Sequence, residues 1–171
     1  DSKAADVTDE GELNYGHSVA SAYFAVRPAF NLDTDSVLFT SAADNSGHIR
    51  FGTALPDYSG SEWKVTLKDG NDFSSGASVS GTTSLTAGYS DTTLTISHAA
   101  LSSLSGDYTD VTAALTDTSG NLLYYGSVNN STSATESTVT IPAGLSEGTY
   151  TLSINGEDWN GANGTDYATG T

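Results

Sequence analysis

The segment NGEDWNGANGTD, residues 155–166, gathers oxygen donors, glycines and one tryptophan in a dozen positions. Calcium takes about six to eight oxygen ligands, and carboxylates and amides on glycine-rich backbone can supply them. Glu157, Asp158, Asn163 and Asp166 are therefore the calcium ligands expected if this loop holds a metal. The bidentate Glu that closes an EF-hand loop is missing, and plain solvated turns explain the same residues. Asn31, Asp33 and Asp35 form a second acidic cluster of this kind.

The same loop offers a second chemistry. Sugar rings stack on exposed aromatic faces flanked by polar groups. Trp159, with Asp158 and Asn160 beside it and Tyr167 close behind, is the expected glycan platform. The competing role for a lone loop tryptophan is a plug folded back onto the protein. Trp63 alternates with polar residues and is expected in the core.

Catalytic constellations are missing. There is no G-x-S-x-G elbow, no H-E-x-x-H and no phosphate-binding loop. His17, His48 and His98 are expected in an arm, a loop and a strand end as solvated or turn histidines. Asp and Glu concentrate in turns, where short acidic side chains bond the local backbone, and nothing marks a matched glycosidase pair. The chain is thus expected not to be an enzyme. An intramolecular Lys–Asn isopeptide bond needs a buried lysine. Lys64 and Lys68 alternate with Trp63, Val65 and Leu67, so they are expected to point outward, which argues against such a bond. Asn129, Asn130 and Asn163 open N-x-[ST] patterns, which mark loops.

Charge narrows the partners. The formal net charge is −16, from 21 acidic and 5 basic residues, and no Lys or Arg follows Lys68. A phosphate backbone needs a basic footprint, so nucleic acid is excluded, and an anionic membrane surface repels such a chain. No apolar run reaches transmembrane length. There is no Cys and no Met, and the first residue is Asp, as in a processed chain or a fragment.

The elements that must position these groups are strands. Apolar residues make up 36% of the chain, and Gly, Ser and Thr fill the rest in short alternating runs between turn signals. Residues 1–16 read as a flexible acidic arm, and residues 18–30 as an extended strand with Val19, Tyr23, Phe24 and Val26 as its apolar weight. Short strands follow at 36–40, in EWKVTLKDG, TTLTIS, YTDVTAALTD, LLYYGSV, STVTIP and TYTLSI, with a hairpin turn at 117–121. Residues 41–61 read as a long loop, residues 73–90 as one irregular strand, and AALSSLSG as at most one helical turn. Leu145, Gly148 and Tyr150, just before a strand, have the spacing of a tyrosine corner, whose hydroxyl bonds back to the backbone.

From Val26 onward, VRPAFNLDTDSVLFTSAAD, SEWKVTLKDG, LLYYGSV, IPAGLSEGTYTLSI and NGTDYAT together resemble an immunoglobulin-like module of large secreted or wall-associated proteins of anaerobic gut Gram-positive bacteria. The resemblance covers roughly residues 19 to 169. It implies an extracellular or cell-surface setting and a non-enzymatic role, with no catalytic motif to carry over.

The expected fold is an all-β, immunoglobulin-like antiparallel sandwich over residues 31–171, preceded by an arm and strand over residues 1–30. The expected function is a non-catalytic structural module that self-assembles into a fibre by adding the 18–30 strand to another copy, because an incomplete sandwich exposes an edge. The alternative is an adhesin or carbohydrate-binding module that takes a host or dietary glycan on the Trp159 loop. No cofactor is expected other than calcium.

Overall fold

A computed structural model describes residues 3–7, 13–18, 31–43, 49–55, 57–74, 77–81, 84, 88–162 and 164–170, the first two segments by backbone alone. The chain divides into two compact units, Asp1–Leu32 and Asp33–Thr171.

In the first unit, β1 (Lys3–Val7) and β2 (Leu13–Ser18) pair antiparallel, with Lys3 opposite Ser18 and Val7 opposite Leu13. The expected flexible arm is therefore a strand pair, in which each segment satisfies the backbone donors and acceptors of the other. Val19, Tyr23, Phe24 and Val26, expected to form the self-assembly strand, lie outside the described residues.

The second unit is all-β. Its strands are β3 (Val37–Ala42), β4 (Trp63–Asp72), β5 (Ser78–Gly81), β6 (Thr92–Ser97), β7 (Asp110–Asp117), β8 (Leu122–Asn129), β9 (Glu136–Ile141), β10 (Tyr150–Asp158) and β11 (Asp166–Gly170). They form a six-stranded sheet ordered β3-β4-β11-β10-β7-β8 and a three-stranded sheet ordered β5-β6-β9. Among the described strands, pairings are antiparallel except β11 with β4, where Asp166 sits opposite Thr66; an isolated parallel bridge also joins Arg50 to Ser127.

The alternating threonines of β6 and β9 leave one apolar row each. Leu94, Ile96, Val139 and Ile141 are buried in one cluster with Ala113 and Leu115 of β7, and Leu152 and Ile154 of β10 pack against it. A second cluster joins Phe73, Leu101, Tyr108 and Val111. Leu101 enters it from a 3-10 turn at Leu101–Ser103, where the sequence allows one helical turn. The β7–β8 hairpin closes as its sequence predicts: the Asp117 carboxylate accepts from the backbone of Ser119 and Asn121 at 2.8 and 2.9 Å, and Gly120 takes φ 81°.

The central strands are enclosed on both faces. In β7, Asp110, Val111, Thr112 and Ala113 are all buried, and in β10 so are Asn155, Gly156 and Glu157. A strand covered on one side shows one buried residue in two, so a second layer must cover the other face. That layer comes from the large sheet itself. Phe39 on the β3 edge meets Tyr125 on the β8 edge, ring centroids 4.3 Å apart. The sheet therefore curls until its two ends touch.

This curl reverses the expected facing of β4. Trp63 is 56% exposed and rests edge-on against Tyr58, whereas Lys64 and Thr66 are buried. Alternation separates the two faces of a strand but does not say which becomes enclosed. Here the enclosed face is the polar one.

Candidate functional site

The hollow of the curled sheet collects polar side chains from four strands. Lys64 comes from β4, Asp166 from β11, Glu157 from β10 and Tyr125 from β8. Because β4 and β11 run parallel with Thr66 opposite Asp166, Lys64 lies two residues back on the same face and reaches Asp166 along the diagonal.

Lys64 Nζ lies 2.5 Å from Asp166 Oδ2 and donates to the Gly161 carbonyl at 2.7 Å. The face of the Trp159 ring lies over the same nitrogen, at 5.2 Å from the centroid. Asp166 Oδ1 accepts from the Asn160 backbone N–H at 2.7 Å. The Asn160 side chain ties its loop together by donating to the Thr165 carbonyl at 3.1 Å and to the Asp158 carboxylate at 3.2 Å. Lys64 is 6% exposed, and Asp166 and Glu157 are each 1% exposed. This is an ion pair taken out of water, with a second carboxyl beside it.

Glu157 accepts a hydrogen bond from the Tyr125 hydroxyl. Burial pushes the Glu157 carboxyl up to about 7; the bond from Tyr125 pulls it back in part, and the charge of Asp166 raises it again. Burial, followed by the Glu157 charge, pushes the Tyr125 hydroxyl well above its ordinary value. Thr66 Oγ1 and Asn155 Oδ1 are buried without a hydrogen-bond partner among the described residues. Such a cluster is costly: two buried charges, a carboxyl held near neutrality and orphaned polar atoms.

The residues singled out in the sequence fall as follows. Trp159 covers Lys64, in the manner of a plug. Tyr167 is exposed, and Asp158 and Asn160 bond each other. Of the calcium candidates, Glu157 and Asp166 lie in the buried cluster, where the cation that meets Asp166 is Lys64. Asp158 lies outside that cluster, on Asn160, and Asn163 is outside the described residues. No group of three His, Asp or Glu side chains arranged to hold a metal exists among the described residues. In the other acidic cluster, Asp33 caps a 3-10 turn at Thr34–Ser36 by accepting from the Asp35 N–H at 3.1 Å.

His98 is not solvated as expected. It is buried, its Nε2 is 2.8 Å from Ser137 Oγ, and its ring stacks on Phe73 with centroids 4.8 Å apart. His48 is outside the described residues, and His17 lies in β2. Tyr150 donates to the Ser146 carbonyl at 2.7 Å, and Leu145 and Tyr150 both pack against the main core. Gly148 lies against the Tyr150 ring: a Cβ added there would stand 3.7 Å from the hydroxyl.

Sequence reasoning placed Lys64 on the wrong face and did not single out Tyr125. One signal was available: no basic residue follows Lys68, so a buried acid late in the chain must draw its counter-charge from the first 68 positions. No family model, curated protein or solved structure matches the chain.

Proposed function

We propose that this chain is a non-catalytic, extracellular structural module of a bacterial surface protein, an immunoglobulin-like sandwich that carries tension. The observation behind this proposal is the parallel pairing of β4 with β11, one strand in from the β3 edge of the large sheet. Adjacent parallel strands pulled from the start of one and the end of the other are loaded in shear. All their ladder hydrogen bonds then resist together instead of opening one at a time. The run β11-β10-β7-β8, facing the pair β6-β9, resembles the order of an immunoglobulin GFC sheet with an added strand, facing B and E. The Tyr150 to Ser146 bond at the start of β10 is what a tyrosine corner makes at the start of strand F.

Stretching the chain between residues 33 and 171 in a force microscope tests this. The expected record is a small early step as β3 peels, then resistance to high force. Gradual low-force unzipping would count against the proposal. Assembly by strand addition through Val19, Tyr23, Phe24 and Val26 belongs to the same proposal. Light scattering of the full chain beside one lacking residues 1–30 should then show polymers only for the former.

A glycan-binding role is the second reading, and a specific observation moves its platform. Exposed Trp63 packs with half-buried Tyr58, ring centroids 5.0 Å apart, while Trp159 lies over Lys64. On a glycan array, Trp63→Ala should abolish any binding that Trp159→Ala merely weakens. The reverse result would restore the Trp159 loop as the site.

A further inference from the structure

We propose that Lys64 and Asp166 condense into an intramolecular isopeptide bond that welds β4 to β11, with Glu157 as the catalytic proton carrier. This rests on the geometry of the buried cluster and not on the surface-module proposal, since an adhesin or an enzyme could carry the same bond.

Three features point to an amide. First, Nζ and Oδ2 are in direct contact at 2.5 Å and both side chains are enclosed, so nucleophile and carboxyl need no rearrangement to meet. Second, the surrounding hydrogen bonds are those an amide would keep. The Gly161 carbonyl that accepts from Lys64 Nζ would accept from the amide N–H, and the Asn160 N–H on Asp166 Oδ1 would donate to the amide carbonyl. Third, condensation removes both buried charges, which makes sense of an ion pair otherwise expensive to enclose.

The step balances without any further reactant. Asp166 Oδ2 takes a proton from the Lys64 ammonium, leaving a neutral amine and a neutral acid. The Nζ lone pair attacks Cγ, and negative charge gathers on Oδ1, where the Asn160 N–H already points. Glu157 starts protonated: it delivers its proton to Oδ2 and takes one back from the nitrogen. The Cγ–Oδ2 bond breaks, one water leaves, and Glu157 ends as it began. A carboxyl held near 7 can do both at neutral pH. Tyr125 holds Glu157 in place as a positioning residue, Trp159 covers the Lys64 nitrogen, and Phe39 packs on the Tyr125 ring. No thiol, metal or oxidant is needed, and the chain has no cysteine with which to staple itself otherwise.

Intact mass of the denatured full chain tests the proposal, with digestion to locate the bond. The expected mass is one water below that of the sequence. Trypsin cuts after Lys68 but not after an acylated Lys64, so fragment 69–171 should remain joined to fragment 51–68. An Asp69–Gly70 succinimide would also lose one water, but would leave those two fragments separate. Asp166→Asn should lose one ammonia instead of water, and Lys64→Met should lose nothing. Glu157→Gln should fold yet keep its full mass. A folded wild-type chain at full mass, or with fragments 51–68 and 69–171 unlinked, overturns the bond. Water loss retained in Glu157→Gln overturns the role of Glu157.

Discussion

Phe39 and Tyr125 sit on strands at opposite ends of the six-stranded order, yet their rings meet at a tilt of 54° with centroids 4.3 Å apart. This contact closes the sheet over its polar face, where the Tyr125 hydroxyl donates to Glu157 and both side chains are buried. Low permittivity around Glu157, and so its affinity for a proton, depends on that closure.

Phe39→Ala should therefore act twice. Losing a half-buried aromatic at the sheet edge should cost about 2–3 kcal/mol of stability, below the range for a fully enclosed Phe. It should also let water reach Glu157 and slow formation of the Lys64–Asp166 bond. Urea denaturation of the chain reads the first effect, and intact mass against time after refolding reads the second. A destabilised variant that links at the wild-type rate would show that the lid is structural only.

The pH dependence of bond formation has a definite sign. Glu157 is the acid that protonates the departing oxygen, and its carboxyl titrates at about 7. The groups around it are Asp166, Lys64 and Tyr125, with Asp110 opposite in the β7–β10 register. Chain collected unfolded and refolded across pH 5 to 9 should link fastest below about 7, with the rate falling roughly tenfold per pH unit above it. The unlinked fold should also lose stability as pH rises from 4.5 toward 7, because the unfolded chain releases the Glu157 proton while the folded chain retains it. A rate that climbs steadily with pH would point to lysine deprotonation as the control and remove Glu157 from the step.

Removing the bond and removing the charges should separate cleanly. A cross-link closing a loop of about 100 residues stabilises by roughly 4–5 kcal/mol in the chain-entropy account. Asp166→Ala loses that and also strands a buried ammonium, which costs about 3–5 kcal/mol more. Lys64→Met combined with Asp166→Leu loses the cross-link but leaves no charge behind. The double variant should thus melt above the single one and below wild type. A double variant as stable as wild type would mean that no cross-link contributes.

Much of this was legible from residue alternation. TTLTIS and STVTIP read as strands with one apolar row and are such strands, and the turn at Asp117–Asn121 is set by local carboxylate and glycine chemistry. The parallel β4–β11 pairing was not legible, because β11 brings only Tyr167 and Ala168 as apolar residues after a Gly/Asn loop that resembles more loop. The cluster was missed for a related reason. Burial of Lys64 follows from the curl of the sheet, a tertiary fact to which a period of two is blind, and the run NGED in β10 looks like surface until both faces are known to be covered.

Gly126 shows how the other edge of the sheet is guarded. The backbone of residues 49–51 runs beside β8: Ser127 N–H donates to the Ile49 carbonyl at 2.7 Å, and Phe51 N–H to the Ser127 carbonyl at 3.0 Å. A Cβ on Gly126 would stand 2.4 Å from the Ile49 carbonyl oxygen and 2.6 Å from the backbone of Arg50 and Phe51. Backbone cannot swing away as a side-chain tip can, so Gly126→Ala must push the segment off β8. The expected cost is about 1–3 kcal/mol of overpacking strain, and the freed β8 edge should then recruit other chains. Urea titration with sedimentation velocity checks both effects. A variant that loses stability but stays monomeric would show that β8 is protected by something other than residues 49–51.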